Sequence, residues 1–386
     1  MSHPDVLVIG GGLHGLSAAF QIARRGRRVR VLEKEVAGAH ASGFSAGGVR
    51  SLGRHTAEIP LALAALELWH DLAALLGEDG GFQPTGQIKV AETPEELAIL
   101  EARVASLRAQ GYTHEELIGP EALRRWLPAL APHCLGGILC ARDGFAEPYR
   151  TTLAFRRAAL ALGAEMVEGA RVTHLERRDG LWQLRCADGA RHAAPIVVNT
   201  AGAWAGRVAR AVGEDIPLGF NAFMMMLTAP MAPFIAPVVG ATGRPISFKQ
   251  TASGQVMIGG GHKGVGDLAT GRVTLDVARL AFSARTALDL FPILAGTRMV
   301  HAWAGIEGVL PDDIPVIGRS ATAKGLVHAF GFCGHGFALA PCIGGIVADL
   351  ALQGGTDLPI AAFAPGRFGR AAPAMAAGQA LVQPAG

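Results

Sequence analysis

Apolar and polar positions alternate along this chain in three distinct ways, and each predicts a different element. Short, mostly apolar runs at 6–9 (VLVI), 29–32 (VRVL) and 196–199 (IVVN) predict buried strands. Helical spacing of apolar residues marks 59–76 (IPLALAALELWHDLAALL), 150–165, a segment near 276–290, and 338–352. A further charged helix follows Thr93, with Pro94 at its first position. Between 171 and 195 two Asp-Gly turns separate strand-like runs, which predicts a hairpin feeding the buried strand at 196–199. QIKVAE, PISFKQ, QVMIGGG, DIPVIGRS and LVHAFGF add strands to the rest, with LPALAPHC as a loop, and no internal repeat is present.

Residues 6–33 combine the first of these patterns into a strand, a glycine turn, a helix and a second strand that ends in an acid. This spacing is that of a dinucleotide site. Gly10 permits the tight turn, Gly12 lets backbone N–H groups approach a pyrophosphate at the positive end of the helix, and Gly15 lets the helix pack closely on the strand. Glu33 is placed to accept hydrogen bonds from a ribose diol. Near the other end, Gly331, Gly334 and Gly336 form a second glycine-rich strand–turn–helix, whose N-terminus is suited to an electron-rich group. One fingerprint at each end points to a long cofactor with a phosphate end and a ring end. FAD fits this better than NAD as sole cofactor.

Composition narrows the setting. Half of the 386 residues are hydrophobic, enough for a large core in two or three units, and the net charge of +3 with no long basic run argues against nucleic acid. The five cysteines (134, 140, 186, 333 and 342) have neither cluster nor zinc spacing, which fits a reducing cytoplasm and excludes an iron–sulfur cluster held by this chain. No cleaved signal is expected before Val6. The uncharged stretches 219–243 and 325–348 are long enough to span a bilayer, yet prolines break the first and glycines and histidines the second, so both are expected to be buried in protein. Cytoplasmic residence follows, with peripheral contact at the inner membrane left open.

GGGLHGLSAA, HASGFSAGGVR, FAEPYRTTLAF, VVNTAGAWA, WAGIEGVLPDDIPVIG and GFCGHGFALAP resemble, in matching order over 4–352, the FAD-dependent D-amino-acid oxidase superfamily. That superfamily includes sarcosine oxidase, glycine oxidase and D-amino-acid dehydrogenases. SAGGVR with the WAGIEG block is most similar to flavoprotein β subunits of heteromeric sarcosine, proline, hydroxyproline and opine dehydrogenases. The resemblance implies an α/β fold: a Rossmann-like FAD-binding domain (1–81, 146–215 and 311–386) interleaved with an α+β substrate domain on an antiparallel-rich sheet (82–145 and 216–310). It also implies noncovalent FAD, because the position of the flavin-linking cysteine of monomeric sarcosine oxidase falls at about Gly305.

By the same resemblance Gly10, Gly12, Leu13, His14 and Gly15 bind the pyrophosphate, and Glu33 with Lys34 the adenosine ribose. The loop His40–Val49 passes along the flavin, with Ser42 and Ser45 offering hydroxyls and Ala46, Gly47 and Gly48 permitting close approach. Val172 faces the adenine, Ala201, Gly202 and Trp204 lie near the pyrophosphate, and Gly334, His335, Gly336, Phe337 and Ala338 meet the flavin pyrimidine. The implied reaction removes a hydride from the carbon beside an amine, giving an imine that water hydrolyses.

The grips on substrate carboxylate found in relatives are missing: Glu307 stands where glycine oxidase has an arginine, and Ala338 where sarcosine oxidase has a lysine. Arg50, Arg54, Lys249, and His262 with Lys263 remain as anion partners, Arg50 first among them. Glu307 is a candidate for a cationic group of the substrate, and Arg50, Glu307 and His335 are the catalytic candidates. His301 and Trp303 are expected to pack, and Cys333 to be an unreactive small residue. The lysine that helps sarcosine oxidase activate oxygen falls near Met257, which favours a dehydrogenase passing electrons to a quinone, a dye or a partner redox subunit. Three roles stay open: a complete amine-oxidising enzyme, the catalytic subunit of a heteromeric dehydrogenase, and a flavin-bearing subunit without turnover of its own.

Overall fold

The computed structural model describes residues 3–369. The end of the 311–386 segment therefore lies outside the described residues.

The mostly apolar runs pair as expected of buried strands. Val6–Ile9 lies between Val29–Leu32 and Ile196–Asn199, parallel to both, in a six-stranded sheet completed by Glu165–Val167, Leu326–Phe330 and the antiparallel Val316–Arg319. Val6 and Val8 face a core of helices, among them Leu13–Arg24, Ile59–His70 and Gly336–Leu352. Leu7 and Ile9 face the other way, against Leu175, Trp182 and Leu184 of the three-stranded hairpin sheet Val172–Arg178, Leu181–Cys186 and Arg191–Ala194. Period-two alternation thus builds two cores, one on each side of the strand.

The helix predicted over 59–76 is two: Ile59–His70 ends at Asp71, and Leu72–Leu76 stops at Gly77, whose left-handed φ of +81° favours glycine. The helix predicted over 150–165 ends at Ala161, and the polypeptide returns as the edge strand Glu165–Val167.

Sequence-distant segments meet in the second, ten-stranded sheet. Gln87–Ala91 and Gly136–Cys140 pair with each other, and Gln87–Ala91 pairs in parallel with Val238–Ala241. From there the sheet runs through Ser247–Gln250, Val256–Gly259 and Gly219–Thr228, against which the 11-residue strand Met299–Val309 lies antiparallel. The uncharged stretch at 219–243 is accounted for by a sheet strand, a proline-rich connection and the strand Val238–Ala241. No described helix is long and apolar enough to cross a membrane.

Candidate active site

A cavity of about 710 Å³ opens at the carboxyl ends of the parallel strands, where Val6–Ile9 sits between neighbours leading to different connections. Such a crevice is where doubly wound sheets bind ligands. The turn at its floor requires glycine for steric reasons. Gly10 has φ +107°, and a Cβ there would come 2.5 Å from the Thr200 carbonyl oxygen, while one on Gly15 would strike the Gly10 carbonyl oxygen. The helix Leu13–Arg24 can therefore start directly against the strand, with no side-chain cap of its own. Ser42 Oγ instead accepts from the Leu13 N–H at 2.8 Å, and the Glu33 carboxylate accepts from Gly11 N–H at 2.6 Å and Glu35 N–H at 2.8 Å. Burial raises the Glu33 pKa against these bonds.

At one end the wall is formed by Ala170, Arg171 and Val172, and beside them Lys34, His40 and Trp204 form a cluster. The Lys34 ammonium sits 3.6 Å from the centroid of the Trp204 ring and bonds to Glu35 and His40. The segment Leu268–Gly271 closes this end, tied down by the Trp204 indole donating to the Leu268 carbonyl at 2.8 Å. Nothing in the sequence pattern marked that segment, since it reaches the cavity only because its strand hairpin leans across from the second sheet.

At the other end, Leu326–Phe330 runs into three left-handed residues, Gly331, Cys333 and Gly334, before the helix Gly336–Leu352 begins. Cys333 tolerates this backbone while its thiol bonds the Gly331 carbonyl, and burial pushes that thiol up to about 12, as befits an inert residue. His14 stacks flat on Phe332, with centroids 3.7 Å apart, so the two helix starts are locked together, and burial drives the His14 imidazole down to about 3. Glu307 projects from Met299–Val309 into the same end and accepts from the Gly334 N–H at 2.7 Å. Its partly buried place in the cavity wall raises its pKa to about 7, against that single bond.

The segment 50–54 carries the arginines and is clamped from the second sheet. Asp143 accepts from Ser51 N–H, Ser51 Oγ and Leu52 N–H, and Glu115 accepts from Gly53 N–H and from Arg103. Arg54 is 1 % exposed, donates through Nε to the Arg50 carbonyl, and has no partner for Nη1 among the described residues. Burial lowers its pKa to about 9. Lys249 is also buried. Neither is the solvated surface charge that exposed-residue statistics would suggest.

Glu58, which the sequence did not single out, is fully buried and bonds His335 Nδ1 at 2.8 Å. Its only sequence signal is its place one helical turn after Arg54.

Of the expected cofactor residues, Gly10, Gly12, Leu13, His14, Glu33, Lys34, His40, Ser42, Ser45, Val172, Ala201, Gly202, Trp204, Gly334, Gly336 and Phe337 line the cavity, as does Glu307. Gly15, Ala46, Gly47, Gly48, His335 and Ala338 stand behind that wall. The Ala338 carbonyl takes the Trp69 indole N–H, and Gly47 packs against Ala146 and Pro148. His262 packs its ring against Phe282 of the helix Val277–Leu290. His301 and Trp303 stack on each other, and the Trp303 indole donates to the Phe44 carbonyl. The one metal-like cluster found among the described residues, Glu92 with His133 and Cys134, has Arg244 seated on the Glu92 carboxylate.

The cavity fits an extended dinucleotide: glycine turns at both ends, an acid and a Lys–Trp pair at one, and exposed helix-start amides at the other. Gly12 shows the same cradle, since a Cβ there would lie 2.9 Å from Ser42 Oγ. The class is that of two-sheet flavoproteins, and comparison with known proteins agrees. The family model for FAD dependent oxidoreductases, DAO, matches residues 5–350, and the chain belongs to that family. It is similar to glycine oxidase of Geobacillus kaustophilus (28 % identity over 385 residues, 93 % of this chain and 96 % of that one). It is also similar to sarcosine oxidase subunit beta of Rhizobium meliloti (25 % over 376 residues, 95 % and 89 %). The crystal structure of L-proline dehydrogenase from P. horikoshii superposes with a TM-score of 0.88 at 27 % identity, covering 95 % of this chain and 98 % of that chain.

Proposed function

We propose that this protein oxidises the C–N bond of an amino acid or secondary amine by hydride transfer, releasing an imine that water hydrolyses to a carbonyl compound and an amine. The substrate classes are D-amino acids, N-alkyl amino acids, proline analogues and opines. The observation that carries this reading is the clamped arginine pair that follows the strand Gly48–Val49, half-buried Arg50 and fully buried Arg54. Bound FAD would supply the hydride acceptor. The chain does the rest: the guanidinium groups hold the substrate carboxylate, and Glu307 attracts the amine and takes its proton, a task suited to a carboxyl that titrates near neutrality. His335 positions the helix start through Glu58.

The electron acceptor is read as a quinone, a dye or a partner redox subunit, on the strength of Met257. Similarity to a protein named as a subunit supports the partner-dependent form. One observation favours oxygen instead: Lys249 lies directly opposite Met257 across the ladder, so a cation does reach that face of the sheet.

An anaerobic titration of the flavin-loaded protein tests the reading. Bleaching by one amine class establishes C–N oxidation, and the rate of recovery in air separates oxidase from dehydrogenase. A bound flavin that no amine bleaches points to the partner-dependent or noncatalytic subunit.

A further inference from the structure

The ten-stranded sheet has two unlike faces. Met226, Phe248, Ile258, Val239, Ile88 and Val90 lie together in one apolar core. Ladder register puts their neighbours on the opposite face: Leu227 opposite Met257, Met257 opposite Lys249, and, two strands further, Gln87 with Lys89 beyond it. This is the face that carries Phe145 and the arginine segment, because the Lys249 ammonium rests 4.2 Å from the Phe145 ring centroid and Phe145 pairs with Gly48.

Two buried cations on this face have donors without partners among the described residues. Lys249 is 4 % exposed, and its ammonium has no hydrogen bond or ion pair among the described residues. Arg54 Nη1 is likewise buried without a partner among the described residues. A folded chain rarely tolerates such groups, since a buried cation without a counter-ion costs several kcal/mol. The cations form two poles. Arg50 lies close enough to Lys89 to lower its pKa further after burial, whereas burial lowers the Lys249 ammonium to about 7 against the opposing charge of Glu147. Strand spacing puts the Lys249 and Lys89 Cα atoms about 12 Å apart.

We propose that Lys249 holds a second carboxylate of the substrate while Arg50 and Arg54 hold the first, so that the amine oxidised here stands between two carboxylates, as in an N-(carboxyalkyl) amino acid. This rests on the amine-oxidation reading above and narrows its substrate class.

The test separates the two. FAD-loaded protein is titrated by calorimetry with diglycolate, which has two carboxylates about an ether oxygen and no nitrogen to oxidise, and with methoxyacetate, which has one. Diglycolate is expected to bind at least tenfold more tightly; Lys249→Met should cut that advantage below threefold, and Lys249→Arg should retain most of it. Equal affinities in the unmutated protein, or an undiminished advantage in Lys249→Met, would overturn the proposal. If Lys249→Met does not hold FAD, the comparison in the unmutated protein and in Lys249→Arg decides. Iminodiacetate and sarcosine are then compared anaerobically. Lys249-dependent diglycolate binding without bleaching by any amine keeps the dianion site and discards the reaction; bleaching by both amines at equal half-saturation keeps the reaction and discards the site.

Discussion

Glu58 Oε2 stands 2.8 Å from His335 Nδ1, joining the chain just after the arginine segment to the start of the helix Gly336–Leu352. Burial raises the Glu58 pKa, but the His335 hydrogen bond and the nearby arginines outweigh it and hold the group below its ordinary value. Burial, then Arg54, pushes His335 down to about 4. At neutral pH a carboxylate therefore accepts from a neutral imidazole, which fixes the Nδ1–H tautomer and leaves a lone pair on Nε2.

Glu58→Ala should destabilise the protein by about 2–3 kcal/mol, because it strips His335 of its partner and Arg54 of a nearby negative charge. Glu58→Gln, which keeps the shape, should cost less. Urea unfolding of both variants measures the difference, and equal costs would show that the charge, which both variants remove, carries the whole effect.

Acid should destabilise the apoprotein well before its carboxylates titrate. His14 and His335 are both depressed, so below the unfolded value of 6.5 the unfolded chain binds protons that the native state refuses. Their contribution is present above pH 6.5 and is lost as pH falls through about 4 for His335 and about 3 for His14. A melting temperature flat between pH 7 and 5 would contradict this.

Glu307 works in the opposite sense. Its pKa is raised from 4.5 to about 7, so its contribution is complete below pH 4.5 and is lost as pH rises through 7. Glu307→Gln should therefore melt higher than the unmutated protein at pH 8 and close to it at pH 5. The same variant should lose any kinetic titration near pH 7.

Gly15→Val should yield protein with little or no flavin, because its side chain meets the Gly10 carbonyl at the cofactor turn. The ratio of flavin to protein absorbance in the purified variant reports this directly. A full complement of FAD would show that the turn can shift at little cost.

Arg54→Met removes a buried guanidinium whose Nη1 has no partner among the described residues. Loss of a charge-assisted bond to the substrate carboxylate should weaken substrate binding by about tenfold to a hundredfold, with little effect on the melting temperature. Half-saturation in the anaerobic titration measures it; a large fall in stability with unaltered half-saturation would make Arg54 structural.

The chain's order of residues already determined the cofactor half of this protein. Backbone-driven features are local: Gly10, Gly12 and Gly15 follow a buried strand at fixed spacing, and Gly331, Gly334 and Gly336 follow another, so helix-start amides and close turns are written in consecutive residues. What the tertiary structure alone decided is which charges lose their water. Lys249 and His262 are both polar residues in or beside strands of one sheet, yet ladder register sends Lys249 to the face of the arginines while His262 packs on Phe282 of a helix. Glu58, Asp143 and Glu115 gain their roles from partners 277, 92 and 62 residues away. Burial and long-range pairing depend on strands brought together across the whole chain, and no local pattern of apolar and polar positions encodes them.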